Sequence, residues 1–339
     1  MNEVWVERYY STGVYLAISK TLRVLFGWIP FSIGDVIYIA AGILMLIKVW
    51  KLLLLLKHRR IRQHLTWKLL RKYLKLILFL YIVFNVFWGL NYYRQGISKQ
   101  ISINVQPYSV QDLFMLTTTL QNRLNFYAEI IDSASRLQYN KKNVLFDSGR
   151  AAYKNVQPVY SFLQYSNLSA KPSLFTPVAR FMGFTGYYNP VTGEAQLKTS
   201  IPVFLKPFVI THEMAHQLGY AKENEASFVA YLACKNSGNA NYLYSAYFEI
   251  YRDAMFDCIQ TGDTLFVKNM SKNLHRRVRY DIHDLRLYLA HDKNFIEPFM
   301  SDAYDKYLRL NNQPNGKATY NEVIAYLIAF MKKFGKDAI

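Results

Sequence analysis

Thr211-His212-Glu213-Met214-Ala215-His216-Gln217-Leu218-Gly219 is followed at once by Tyr220-Ala221-Lys222-Glu223-Asn224-Glu225-Ala226-Ser227-Phe228. Two histidines four apart on a helix share one face, because 3.6 residues per turn stacks i over i+4. Both imidazoles can therefore reach one metal ion, and Glu213 stands where it can activate a water bound to that ion. With 7 His in 339 residues, such a motif arises by chance in about one chain in a hundred of this length. The pattern points to zinc-dependent hydrolysis. Its context is helical: Pro207 suits a first turn, Phe208, Val209, Ile210, Met214, Ala215 and Leu218 supply apolar surface, and Gly219 is a natural stop. A second helix is expected from about Glu223–Glu225 to about Lys235, ended by Asn236-Ser237-Gly238-Asn239.

A tetrahedral catalytic zinc takes three protein ligands and keeps one position for water. Glu223 and Glu225 are the candidates for the third. Glu225 heads the stripe Phe228, Val229, Leu232, while Glu223 heads the less apolar Ala226, Ser227, Ala230. An inward carboxylate needs a partner, which favours Glu225 as the ligand. Alternatively, both are first-turn acids that complement the helix dipole.

The hydrophobic content of 52% is high for a soluble chain and directs attention to the N-terminal quarter. Residues 36–56 and 73–92 are apolar runs of about the 20 residues that cross a bilayer. Between them, residues 57–72 carry seven basic side chains and no acid, the mark of a cytoplasmic loop. The large C-terminal part is then extracytoplasmic. Residues 9–29 form either a third span or an interfacial amphipathic helix, given Lys20 and Arg23 near the middle. Of the net charge of +18, residues 1–95 contribute 14 Lys/Arg against 3 Asp/Glu, so most of the excess flanks the membrane. That distribution and the lack of a base-reading motif argue against nucleic-acid binding.

Residues 96–339 read as a separate, mostly helical α+β unit. Helices are expected through Leu113–Ile130, through Val144–Leu163 with a break at Pro158, and over Tyr242–Ile259 and Tyr320–Phe334. Tyr187–Leu197, with Asn189-Pro190 and Thr192-Gly193 at its centre, reads as a β-hairpin just before the metal helix. It is either a structural turn or an edge that binds an extended peptide by strand addition. Donors for an oxyanion can come from Tyr187, Tyr188, Tyr242, Tyr244, His275, His283 or His291, which spacing does not rank. Cys234 and Cys258 either pair or remain free thiols.

His212-Glu213-x-x-His216, the short turn and Glu225-Ala226 resemble the zincin metallopeptidases of the gluzincin type. The resemblance implies a zincin-like domain with one Zn2+ held by His212, His216 and Glu225, and Glu213 as general base. The gap of eight residues from His216 to Glu225 is shorter than in the large secreted gluzincins. Trp88-Gly89-Leu90-Asn91-Tyr92-Tyr93-Arg94, Gly186-Tyr187-Tyr188 and the metal motif together resemble a family of bacterial multi-span membrane proteins. Together these imply a peptidase anchored in the inner membrane, its catalytic domain periplasmic and its substrate a peptide or protein near the bilayer. The competing expectation is a non-catalytic envelope scaffold of the same shape that binds a partner.

Overall fold

Ser109 accepts from the backbone N–H of Asp112 while Asp112 reaches back to the Ser109 N–H, and this capping box starts one of the two longest helices of the C-terminal part. The computed structural model describes residues 2–58 and 66–339. It is mostly helical with one small three-stranded sheet, as expected for the fold class. In chain order the longer elements are α1 Tyr15–Phe26, α2 Ile33–Lys57, α3 Trp67–Phe87, α4 Val110–Ile130, α5 Lys142–Val156, β1 Ala170–Pro172, β2 Gly186–Asn189, β3 Glu194–Leu197, α6 Lys206–Gln217, α7 Glu223–Lys235, α8 Ala240–Gln260, α9 Thr264–Lys272, α10 Arg276–Asp292, α11 Glu297–Leu310 and α12 Val323–Phe334. α5 stops before Pro158, which cannot donate the next helical hydrogen bond.

The main core forms where α4 lies along α8, and α6 and α7 pack beside them under α12. Both cysteines are buried there as free thiols. In the sheet, β3 is central, parallel to β1 and antiparallel to β2, with Tyr187 opposite Gln196 and Tyr188 opposite Ala195. The β2–β3 hairpin forms as its turn residues predict. Asn189 Oδ1 accepts from Val191 N, and Gly193, at φ +68°, donates to Asn189 O.

Among the described residues, one helix is long and apolar enough to cross a membrane: Ile33–Lys57, with a mean hydropathy of 2.3 and none of its most apolar stretch buried. α3 is exposed along an apolar surface too, but Lys68, Arg71, Lys72 and Lys75 fill its first turns, and it ends at Phe87 rather than Tyr92. Of the basic loop, residues 59–65 lie outside the described residues.

Residues 9–29 are not an independent segment. A π-helical stretch, Val6–Val14, runs into α1, whose buried stripe is Tyr15, Ser19 and Arg23. Those side chains meet protein, which accounts for Ser19 and Arg23 in an otherwise apolar run, while Lys20 is exposed. Tyr10, Tyr15, Trp88, Tyr92 and Ala221 form a second small core that joins the chain's first residues, the end of α3 and the turn after α6. The change in composition at residue 95 therefore does not mark a division in the packing.

Candidate metal centre

Every residue of α6 is buried, so its two histidines are held on all sides. Pro207 opens the helix. The imidazoles of His212 and His216 lie 4.9 Å apart, edge to face. Gly219 ends the run at φ +85°, where a Cβ would fall 2.9 Å from the Tyr15 ring and 3.0 Å from Asn91 Oδ1. Only glycine tolerates both the conformation and the approach. The chain then turns back so that α7 begins beside α6.

The carboxylate that meets the imidazoles is Glu223 and not Glu225. Glu223 Oε2 is 3.0 Å from His212 Nε2 and 3.5 Å from His216 Nε2, and ligand atoms of the three residues all lie within 4.8 Å of one another. Glu225 points away: its Oε1 is 3.8 Å from Lys222 Nζ and 3.5 Å from Tyr326 OH, with Gly96 packed against it. Two positions apart on a helix are about 200° apart, so the two acids point in nearly opposite directions. Both sides of α7 are buried, from Glu223 to Cys234. The more apolar stripe faces the core, and the less apolar one faces the histidines, where Ser227 lies 3.2 Å from His212 Nδ1.

These side chains fit a divalent ion. His216 Nδ1 lies 2.6 Å from Tyr220 O, which fixes its proton there and leaves Nε2 to point at the cluster. Tyr304 OH donates to Glu223 Oε1 at 2.7 Å, orienting the carboxylate. Burial works against charge on His216, but Glu223 beside it lifts its pKa to about 9. Burial alone would raise Glu223 too, yet the imidazoles hold it well below the ordinary carboxylate range. Burial pushes His212 down. Glu213 is pushed up to about 8 by burial, and its Oε2 has no hydrogen-bond partner among the described residues. A buried carboxylate oxygen left without a donor is costly, and a water on a metal ion would satisfy it.

The last carbonyls of α6 are capped from far away in sequence. Tyr15 OH donates to His216 O at 3.0 Å, Ser19 Oγ to Gln217 O at 2.8 Å, and Arg94 Nη1 to Leu218 O at 3.3 Å. Arg94 also forks onto Glu7 and lies 4.4 Å from the centre of the Tyr220 ring. Trp88 presents its ring edge-on to His216, 5.7 Å between centres.

A cavity of about 690 Å³ opens over the cluster. Its walls include Gly186–Tyr188 of β2, Trp88 and Tyr92 beyond α3, Leu285 and Tyr288 of α10, and Met300 and Tyr304 of α11. β2 is an edge strand, and residues that alternate with those paired to β3 turn their peptide groups outward.

Among the candidate donors, Tyr187 and Tyr188 line this cavity, with Tyr187 OH on Asp35 and Ser173 and Tyr188 OH against Tyr15. The others lie elsewhere. Tyr242 OH bonds Leu145 O, Tyr244 OH bonds Asp281, His275 caps α10 and pairs with Glu129, and His283 and His291 are on the surface. Tyr304 carried no motif in the sequence that could single it out.

Residues 10–328 match the model of a family described as "Protein of unknown function (DUF3810)". No curated protein and no solved structure matches the chain.

Proposed function

The chain belongs to the DUF3810 family, whose model spans nearly all of it, and we propose that it is a membrane-anchored, zinc-dependent peptidase that hydrolyses peptide bonds outside the cytoplasm. The observation that carries this reading is the convergence of His212, His216 and Glu223 beside a buried, unpartnered Glu213 oxygen in a cavity bordered by the edge strand β2. The resemblance to the zincins supports it, with Glu223 in place of Glu225.

His212, His216 and Glu223 would hold the ion. When bound, zinc polarises a substrate carbonyl and brings the pKa of its water towards 7. Glu213 accepts the proton of that water and returns it to the leaving amine, a role that suits a carboxyl whose pKa burial has raised towards neutrality. The outward peptide groups of β2 align an extended substrate across the cleft. Tyr304 keeps Glu223 in place through its 2.7 Å hydrogen bond. α2 and α3 serve as the spans of this reading, with the basic segment between them in the cytoplasm of a bacterial inner membrane.

The test is metal analysis of the purified full-length protein together with cleavage of a peptide library. Stoichiometric zinc, with Glu213→Gln keeping the metal but losing turnover, is the expected result. Absence of bound metal after loading overturns the proposal.

A further inference from the structure

The start of α2 and the end of α3 mark one level, because Lys48 of α2 lies 5.9 Å from the centre of the Tyr73 ring of α3 and both ends meet residues that line the cleft. Asp35, in the first turn of α2, accepts from Tyr187 OH of the cleft wall and from Leu174 N at 2.8 Å. Phe84, in the last turn of α3, packs edge-on against Tyr307 of α11 at 6.3 Å, and Tyr92 just beyond α3 bonds Tyr307 OH at 3.1 Å.

α11 is tied to this level at both ends. Before its first turn, Asn294 Nδ2 donates to Arg180 O at 2.7 Å, joining it to residues 174–183, the segment that Leu174 fastens to Asp35. After its last turn, Asn312 Nδ2 donates to Tyr92 O at 3.1 Å. α11, a 14-residue helix about 21 Å long, is thus joined at its start to residues 174–183 and at its end to Tyr92. Its outward face and the adjoining segment leave large apolar side chains in the open: Phe295 is 80% exposed and Phe299 74%, with Leu174, Val178 and Met182 exposed beside them. Exposed apolar side chains grouped in this way mark an interaction site, and Leu174 N bonds Asp35 in the first turn of the exposed apolar helix α2.

We propose that this rim is set into the outer lipid boundary, so that the cleft takes as its substrate the juxtamembrane stretch of a membrane-anchored polypeptide. The rim contacts lipid as the apolar face of an interfacial helix does. A chain leaving the bilayer meets the cleft mouth at the level of Asp35 and Tyr92 and can extend along β2. The lipid contact rests on α2 being a span, and the substrate class rests in addition on the peptidase reading.

Both parts are tested on the full chain reconstituted in phosphatidylcholine vesicles. Cys234 and Cys258 are buried, so cysteines introduced by Val178→Cys or Phe299→Cys take a fluorophore selectively. Leu265→Cys, on α9 against α4, is the control. Lipid-borne nitroxides near the headgroup are expected to quench the labels at 178 and 299 several-fold more than the label at 265. Equal quenching at the three positions overturns the lipid contact. One cleavable peptide is then offered with and without an acyl anchor. The anchored form is expected to be cut at least tenfold faster, and Phe295→Ser with Phe299→Ser is expected to reduce that advantage while leaving the free peptide's rate unchanged. An advantage that survives the double substitution overturns the role of the rim in substrate capture. If neither peptide is cut, the peptidase reading falls and the substrate class with it, whereas the quenching result stands independently.

Discussion

Gly186 and Glu213 share a space that only a glycine leaves open: a Cβ at position 186 would fall 2.7 Å from Glu213 Oε1 and 2.8 Å from its Cγ. The same Cβ would meet Gln196 O of the neighbouring strand at 2.9 Å, so β2 cannot simply retreat. Gly186→Ala must therefore move the Glu213 carboxylate. A displacement of about 1 Å at a catalytic group costs on the order of 100-fold in rate. Expected are a loss of turnover of that size and unchanged zinc content, read by steady-state kinetics and metal analysis on one preparation. Full activity in Gly186→Ala would remove Glu213 from the reaction.

The two acids of the α7 start make opposite predictions. Glu223→Gln withdraws the oxygen that faces both imidazoles, and the protein is expected to lose its metal on dialysis against a weak chelator. Glu225→Gln changes a side chain turned towards Lys222, Tyr326 and Gly96, and is expected to keep the metal. Metal-to-protein ratios after dialysis decide between them. Retention by Glu223→Gln and loss by Glu225→Gln would restore the ligand that the sequence pattern favoured.

That reversal shows what a sequence pattern carries and where it stops. His212 and His216 were legible because their spacing is a property of one helix, and the hairpin was legible because Asn189 and Gly193 are demanded by its turn. Glu223 was not. The choice between the acids assumed that α7 buries one face, whereas it is enclosed on both, and the polar stripe that seemed the outer one lines the site. The N-terminal contribution was hidden for a different reason. Tyr15 reaches His216 across 201 positions, and nothing local to Tyr15, Ser19 or Trp88 records that partner. In sequence, residues 96–339 read as a separate unit, whereas Trp88 and Tyr92, just beyond α3, line the site.

Those caps are themselves testable. Ser19 and Tyr15 donate to the last carbonyls of the metal helix in a buried setting, where leaving an acceptor unsatisfied costs about 1–3 kcal/mol. Ser19→Ala combined with Tyr15→Phe is expected to lower stability by about 2–5 kcal/mol and to weaken zinc binding, because His216 lies in the turn they hold. Denaturant unfolding of the detergent-solubilised protein, with and without added zinc, measures both. An unchanged zinc affinity in a measurably destabilised variant would confine the caps to a structural role.

Lys171 fastens the turn between α1 and α2 to the sheet. Its ammonium donates to Phe26 O at 2.9 Å, to Phe31 O at 3.3 Å and to Ile29 O, and lies 3.6 Å from Glu194. Glu194 is fully buried and accepts from Ile33 N and Gly34 N at the start of α2, where a helix N-terminus favours an anion. Lys171→Met would leave the buried Glu194 without its neighbouring cation and take a donor from three carbonyls, and breaking a buried pair from one side costs about 3–5 kcal/mol. Lys306→Met breaks a shorter pair, 2.7 Å from Asp302, in which both side chains are mostly in solvent. There the expected cost is under about 1 kcal/mol. Parallel unfolding curves for the two variants test whether burial, rather than ion pairing as such, makes the Lys171 clamp strong. Equal losses would mean that the turn carrying α2 is held by its other contacts.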